Sequence, residues 1–411
     1  MRHVTAAQVS PLFSREWESD PKPTYRQLHA DGSIHRITLP SGSQAWLVTR
    51  YEDAVAALAN PSLIKDPLRF GKRSRGILSR LPDRLRTVLF RNILEMDPPE
   101  HTRVRRLVAR PFSAARIGRR LADVESRAVA MVDALASREP VDIVSAFCSP
   151  YPLRIVCDLL GVPDSEESRL RVQRWARVLN AGHAADGDAY VQCAQEAMEH
   201  LEDLVALKRR EPGDDLASAM VASQDEEDGL SLEEIIGTLF MLILAGHEST
   251  AHLLSMSLLE LALNPELRRD LADHPELLPN AAEELLRYTS PVKLAPWRYA
   301  AHDLELAGTD IREGEGVMVG VAAANMDPDT FPDPGRLDVR RAEAARHLSF
   351  GRGIHFCLGA QLAKMETVAA LRAVLARFPD FSPAVPADSI EWQRGAMIRG
   401  PLALPLIFEG R

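Results

Sequence analysis

In FGRGIHFCLG, Phe350 to Gly359, three glycines, one histidine and one cysteine share ten residues. Gly351 and Gly353 permit backbone angles that residues with a Cβ resist, so the chain there can lie flat against a bulky partner. Gly359 permits close approach just after the thiol. The run AQLAKMETVAALRAVLARF follows at once and repeats apolar residues at helical spacing. Cys357 therefore sits near a helix N-terminus, where free N–H groups and the dipole favour a thiolate. A thiolate in a glycine-lined loop suits an axial metal ligand, its sulfur tuned by backbone N–H groups. The plainer alternative is a buried structural cysteine, which is the reading for Cys148, Cys157 and Cys193.

The surrounding chain has 411 residues, 46% hydrophobic and 26% charged, enough to bury a large core. Its formal net charge of -9 argues against a general nucleic-acid binder. The opening MRHVTAAQVSPLF has no apolar signal-peptide core. The most apolar run, GTLFMLILAG at 237–246, is too short to cross a membrane and reads as a buried helix. The four cysteines form no C-x-x-C pair, which speaks against a disulfide framework or structural zinc and fits a reducing cytoplasm. Only six of the 49 basic residues are lysine, a bias that suggests a GC-rich bacterial genome.

IHRITLPSGSQAWLVTR, beginning at Ile34, reads as a hairpin turning at Pro40-Ser41-Gly42. From about Asp97 to Leu263 helical periodicity dominates, and LPNAAEELLRY continues it. ANMDPDTFPDPGRLDVRR carries Pro328, Pro332, Pro334 and Gly335, which forbid a regular helix or central strand. The expectation is a mostly helical chain with a little β at the start and in the last third.

The spacing F-G-x-G-x-H-x-C-x-G resembles the haem-binding loop of the cytochrome P450 family, the haem-thiolate monooxygenases. Arg352 stands where many bacterial members have histidine. The resemblance runs from the DPPEH segment to ALPL, with the main motifs in family order. It implies a mainly α (α+β) fold, a triangular prism of about a dozen helices with small β-sheets, as a single domain over 1–411. It implies haem b on Cys357, with Phe350, Gly351 and Gly359 in the enclosing loop. Its propionates need cationic or hydrogen-bonding partners, and the resemblance offers His101, Arg105, Arg298 and His355. Glu284 and Arg287 match the family's E-x-x-R, a structural pair completed by an arginine of the Pro-rich segment. That spacing alone carries little, because Glu166/Arg169, Glu266/Arg269 and Glu343/Arg346 share it.

LILAGHEST, Leu242 to Thr250, resembles the family's central helix where it crosses the haem. Ala245 and Gly246 are small there, as close passage requires. Glu248 and Ser249 occupy the acid–alcohol pair that delivers protons, with Thr250 placed to share the duty. Most members carry threonine where this chain has Ser249, which lacks the stiffness of a β-branched side chain. His247 is expected to point at neighbouring helices. By register the substrate pocket includes Met241, Leu244, Ala245, Leu294, Met397 and Ile398, nearly all apolar, which favours a lipophilic substrate. Segments 69–92 and 176–190 are expected to form a mobile roof.

Seven arginines and no acid lie in HTRVRRLVARPFSAARIGRR. A solvated face is one reading; the resemblance makes Arg103 and Arg106, with Arg352 and Lys364, a docking surface for an acidic electron carrier. The implied enzyme is a monomeric, cytoplasmic monooxygenase with no membrane or nucleic-acid partner. It inserts one oxygen atom from O2 into a lipophilic molecule of secondary metabolism such as a polyketide macrolide, terpenoid or steroid. Electrons come from NAD(P)H through a ferredoxin and ferredoxin reductase. The alternatives are a peroxide-driven peroxygenase or oxidase on the same haem, or a haem-binding protein without turnover.

Overall fold

The apolar run at 237–246 becomes the middle of a 32-residue helix, Leu232–Leu263, in a computed structural model describing residues 12–39, 42–70, 80–135, 139–163, 165–181, 187–393, 395 and 397–409. A capping box starts this central helix: the Ser231 hydroxyl accepts from the Glu234 N–H (3.2 Å), and the Glu234 carboxylate accepts from the Ser231 N–H (2.9 Å). Its first half (Ile235, Ile236, Leu239, Phe240, Ile243) enters one apolar cluster, with Trp175, Leu201 and Leu204. Its second half (Leu253, Leu254, Leu258, Leu261) enters another, with Phe147, Leu371 and Phe378. Each leucine so buried contributes about 2 kcal/mol, so the helix is anchored at both ends. Between them lies a bare middle in which Ala245 is exposed.

Sixteen α-helical segments occur among the described residues. The expected helices appear as Leu121–Asp133, Gly187–Arg210, Leu278–Thr289 and Ala360–Arg377. Ten short strands follow in chain order: β1 Ile34–Thr38, β2 Gln44–Val48, β3 Leu63–Ile64, β4 Pro140–Asp142, β5 Arg298–Ala300, β6 Leu304–Leu306, β7 Thr309–Ile311, β8 Gly316–Val319, β9 Asp380–Pro383 and β10 Pro405–Glu409. The two strands of the hairpin pair as expected, β1 antiparallel to β2 with Ile34 opposite Val48, while Pro40 and Ser41 of its turn lie outside the described residues. The hairpin continues into a sheet of order β1-β2-β8-β5-β3; β4-β10-β9 and β6-β7 make two smaller sheets. β4 departs from the expectation of β only near the start and in the last third. It pairs antiparallel with β10, Asp142 opposite Pro405, a long-range partner that local periodicity does not register.

Candidate active site

The cysteine loop is set by two left-handed glycines, Gly351 at φ +69° and Gly353 at φ +75°. A Cβ on Gly353 would also lie 3.1 Å from the Leu58 carbonyl oxygen, so conformation and space both exclude a side chain. The Cys357 N–H donates to the Phe350 carbonyl at 2.8 Å and closes the turn, with the Phe350 and Phe356 rings edge to face. No protein atom lies within 4 Å of where a Cβ on Gly359 would be, so the space beside the thiol is open there. The Cys357 side chain is exposed.

Desolvation by the surrounding protein pushes the Cys357 pKa up, against the opposing pull of the Gly359 N–H and the Arg105 guanidinium. The Gly359 N–H at the start of the helix behind it (Ala360–Arg377) acts in the thiolate's favour, as the sequence led one to expect. A metal cation deprotonates a coordinating thiol outright.

Beside the loop, four of the expected residues gather, with one that was not foreseen. His101 and Arg105 stand one turn apart on the helix Glu100–Ala109. The His101 ring is 1% exposed and lies 4.4 Å from the His355 ring, and neither of its nitrogens has a partner. Arg105 donates to the Phe356 carbonyl at 2.6 Å, tying that helix to the loop. Arg298, buried at the start of β5, donates to the Pro296 carbonyl at 3.2 Å, and burial lowers its pKa to about 10. His355 is lowered to about 3, first by burial and then by His101, Lys65, Arg298 and Arg105.

Lys65 is the missed member. It is 2% exposed, donates to the Trp297 carbonyl at 2.8 Å, and burial lowers its pKa to about 8. The nearby Asp97 carboxylate is engaged by the Lys65 and Asp66 backbone N–H groups. Lys65, Arg105 and Arg298, crowded together with Glu95 and Asp97 as their facing carboxylates, fit an incoming dianion such as the two haem carboxylates. The available signal was a lysine directly after a short apolar run, Leu63–Ile64, in a lysine-poor chain.

On the central helix, the Ser249 hydroxyl donates to the Ala245 carbonyl at 3.2 Å, the back-bonding expected of a mid-helix serine, and the helix stays continuous. Thr250, the proposed partner in that duty, is 3% exposed and turned into the packed face. Gly246 also corrects expectation: a Cβ there would meet Val156 at 3.2 Å, so its smallness admits the helix Pro150–Leu160 rather than a ligand. His247 does point inward, its Nδ1 2.9 Å from the Ile243 carbonyl. The Glu248 Oε1 accepts from the Gln393 amide at 3.2 Å, while its Oε2 is buried without a partner.

Met241 and Leu244 are half-buried against the same apolar cluster as Leu358, the neighbour of the cysteine. Met397 and Ile398 are half-buried on a segment bridged to Val292. Leu294 is the exception: it is 2% exposed within a cluster built on Trp17, Tyr25 and Leu47, and serves as core. The same segment is pinned by Lys293, whose Nζ donates to both Glu18 oxygens at 2.7 and 2.6 Å. The expected roof falls partly on residues 71–79 and 182–186, which lie outside the described residues; the rest includes the helix Asp83–Phe90.

Glu284 and Arg287 form a fully buried bidentate pair, both contacts at 2.7 Å. Arg341 is the arginine that completes it, donating to Glu284 at 3.1 Å and to the Pro332 carbonyl at 2.6 Å. The docking arginines fare less simply. Arg103 is committed to Glu234 and to the Gly229 carbonyl, locking the start of the central helix. Lys364 pairs with Glu283 at 3.0 Å and Arg106 approaches Asp228 at 3.5 Å, leaving Arg352 as an exposed cation.

Among the described residues no three His, Cys, Asp or Glu side chains gather to hold a metal by themselves, and no helix is long and apolar enough to cross a membrane. A family model described as cytochrome P450 matches residues 184–399. The chain is 38% identical to the mycinamicin IV hydroxylase/epoxidase of Micromonospora griseorubida, over 93% of this chain and 94% of that protein. It is also 38% identical to the cytochrome P450 monooxygenase PikC of Streptomyces venezuelae, over 96% and 92%. The tirandamycin C-bound P450 monooxygenase TamI superposes with a TM-score of 0.88 at 36% identity, covering 96% of this chain and 99% of that one.

Proposed function

The chain belongs to the cytochrome P450 family, and from that membership we propose a monooxygenase that tailors a macrolide-like polyketide. Enzyme class and cofactor come with the family: an oxygen-incorporating oxidoreductase with haem-thiolate iron and O2. When bound, the haem activates dioxygen so that one atom enters the substrate and the other leaves as water.

Each residue then has a stated part. Cys357 would hold the haem iron through its thiolate, with Phe350, Gly351 and Gly359 shaping the loop around it. His101, Arg105, Arg298 and His355, with Lys65, take the propionates. Ala245 leaves room on the central helix. Ser249 holds a proton at its hydroxyl and Glu248 feeds it, with Thr250 as packing. Met241, Leu244, Met397 and Ile398 bind an apolar substrate by shape. Electrons arrive from NAD(P)H through a separate ferredoxin and reductase, docking near Arg106 and Arg352. The working form is a cytoplasmic monomer, one domain over 1–411.

The observation that carries the reading is the set of buried basic side chains beside the exposed thiol, above all the His101 imidazole with both ring nitrogens unpartnered. The macrolide class rests on the relatives named for such substrates. The test is turnover of mycinamicin IV and a set of related macrolides with NADPH, a ferredoxin pair and isotopically heavy dioxygen. One heavy oxygen atom in the product supports the reading. Equal turnover with hydrogen peroxide in place of the electron donors would move it to the peroxygenase alternative.

A further inference from the structure

Glu248 does not hang free from the central helix. His252 lies one turn on, so both project from one face, and its Nε2 is 3.8 Å from Glu248 Oε1. Gln393 comes from a segment 145 residues away and reaches both. Its amide nitrogen lies 3.2 Å from Glu248 Oε1, and its amide oxygen 2.7 Å from His252 Nε2. A carboxylate can only accept, so the amide must donate to Glu248, and its oxygen must then accept from a His252 Nε2–H. One amide orientation and one imidazole tautomer satisfy both side-chain bonds of Gln393, while His252 Nδ1 is left buried without a partner.

The backbone holds this arrangement rigidly. The Gln393 N–H donates to the Gly400 carbonyl at 2.8 Å, and Trp392 bridges to Pro401. Gly400 in turn lies flat against the imidazole: a Cβ there would come within 1.9 Å of His252 Nδ1. His252 is 6% exposed and the Glu248 side chain 15% exposed, so neither samples many rotamers. Of the two carboxylate oxygens, Oε1 is tethered and Oε2 is buried and unpartnered.

We propose that Gln393 and His252 are positioning residues for Glu248, clamping Oε1 so that proton traffic passes through Oε2. This rests on the reading of Glu248 as the proton donor. A proton leaves Oε2 toward the reacting site and the carboxylate regains one from solvent, so its charge is restored each cycle. Proton delivery then depends on the C-terminal segment as well as on the central helix.

The test compares holoenzyme variants Gln393→Ala, Gln393→Glu and Glu248→Gln with the parent. NADPH oxidation through a surrogate ferredoxin pair is followed in H2O and D2O, with mycinamicin IV as the probe. The share of electrons released as hydrogen peroxide is read whether or not the probe is oxidised. Both Gln393 variants slow the reaction about tenfold, with an enlarged deuterium effect and more peroxide. Gln393→Glu is at least as impaired as Gln393→Ala, because it keeps the shape but loses the donor. A Gln393→Glu enzyme equal to the parent would reduce Gln393 to packing and overturn the clamp.

A second readout does not need turnover. Imidazole nitrogen NMR of the reduced carbon monoxide complex shows His252 locked as the Nε2–H tautomer in the parent and averaging between tautomers in Gln393→Ala. An unchanged tautomer also overturns the clamp. If Glu248→Gln matches the parent, the proton-donor reading itself fails; if it is impaired while both Gln393 variants are normal, only the clamp fails.

Discussion

Two buried clusters of charge lie on opposite terms with the protein around them. Around Glu284, every group is answered: the carboxylate accepts from Arg287, from Arg341 and from the Asp338 N–H, while Arg287 also donates to the Asn325 and Pro334 carbonyls. Around His101, the cations of Lys65, Arg105 and Arg298 crowd the two histidine rings, and all three, with His101, lower the His355 pKa. The fold uses the first cluster to hold itself. It carries the second at a cost, which makes sense only if a ligand completes it.

The strongest way to break that comparison is to remove a partner from the satisfied cluster. Arg287→Met leaves Glu284 buried without its bidentate partner and costs about 3–5 kcal/mol. Denaturant unfolding should show that loss, or no folded protein at all. Loss below 1 kcal/mol would mean that the network is not the keystone described here.

The unsatisfied cluster should behave with opposite signs. In haem-free protein, Arg298→Met relieves crowding and raises stability by about 1 kcal/mol. In loaded protein, the same change speeds haem loss about tenfold. Unfolding of the first form and haem transfer from the second measure the two signs, and equal signs would contradict the assignment.

Lys65 sharpens the contrast through pH. Its pKa is about 8 in the folded chain against an ordinary 10.5. Between those values the unfolded chain holds the extra proton, so stability rises with pH there, and below 8 the cost of the buried charge is felt in full. Haem-free protein should therefore gain stability from pH 8 upward more steeply than Lys65→Met. Matching slopes would remove Lys65 from the cluster. The smallest effect is expected at Ser249→Thr, which keeps the hydroxyl and adds stiffness. Its share of peroxide should fall by no more than about twofold, and a rise would show that the pocket is fitted to serine.

The parts of this molecule written locally were legible. The glycine spacing around Cys357, the i,i+3 pair of Glu284 and Arg287, and the i,i+4 pair of His101 and Arg105 all depend on neighbours within a few residues. What escaped depends on partners far along the chain. Lys65 meets Trp297 across 232 residues, and Gln393 meets Glu248 across 145. Gly246 was misassigned because a small residue on a helix can face a ligand or another helix, and only the position of Val156 decides. Arg103 looked like part of a docking face because its acid, Glu234, sits on another helix.

The central claim is that Cys357 is the thiolate ligand of a haem held by the neighbouring basic residues. The most direct measurement is the carbon monoxide difference spectrum of the reduced protein beside that of Cys357→Ser. A strongly red-shifted Soret band in the parent, lost in the variant, is the predicted result. A histidine-type band in the parent, or a red-shifted band that survives in Cys357→Ser, would contradict it.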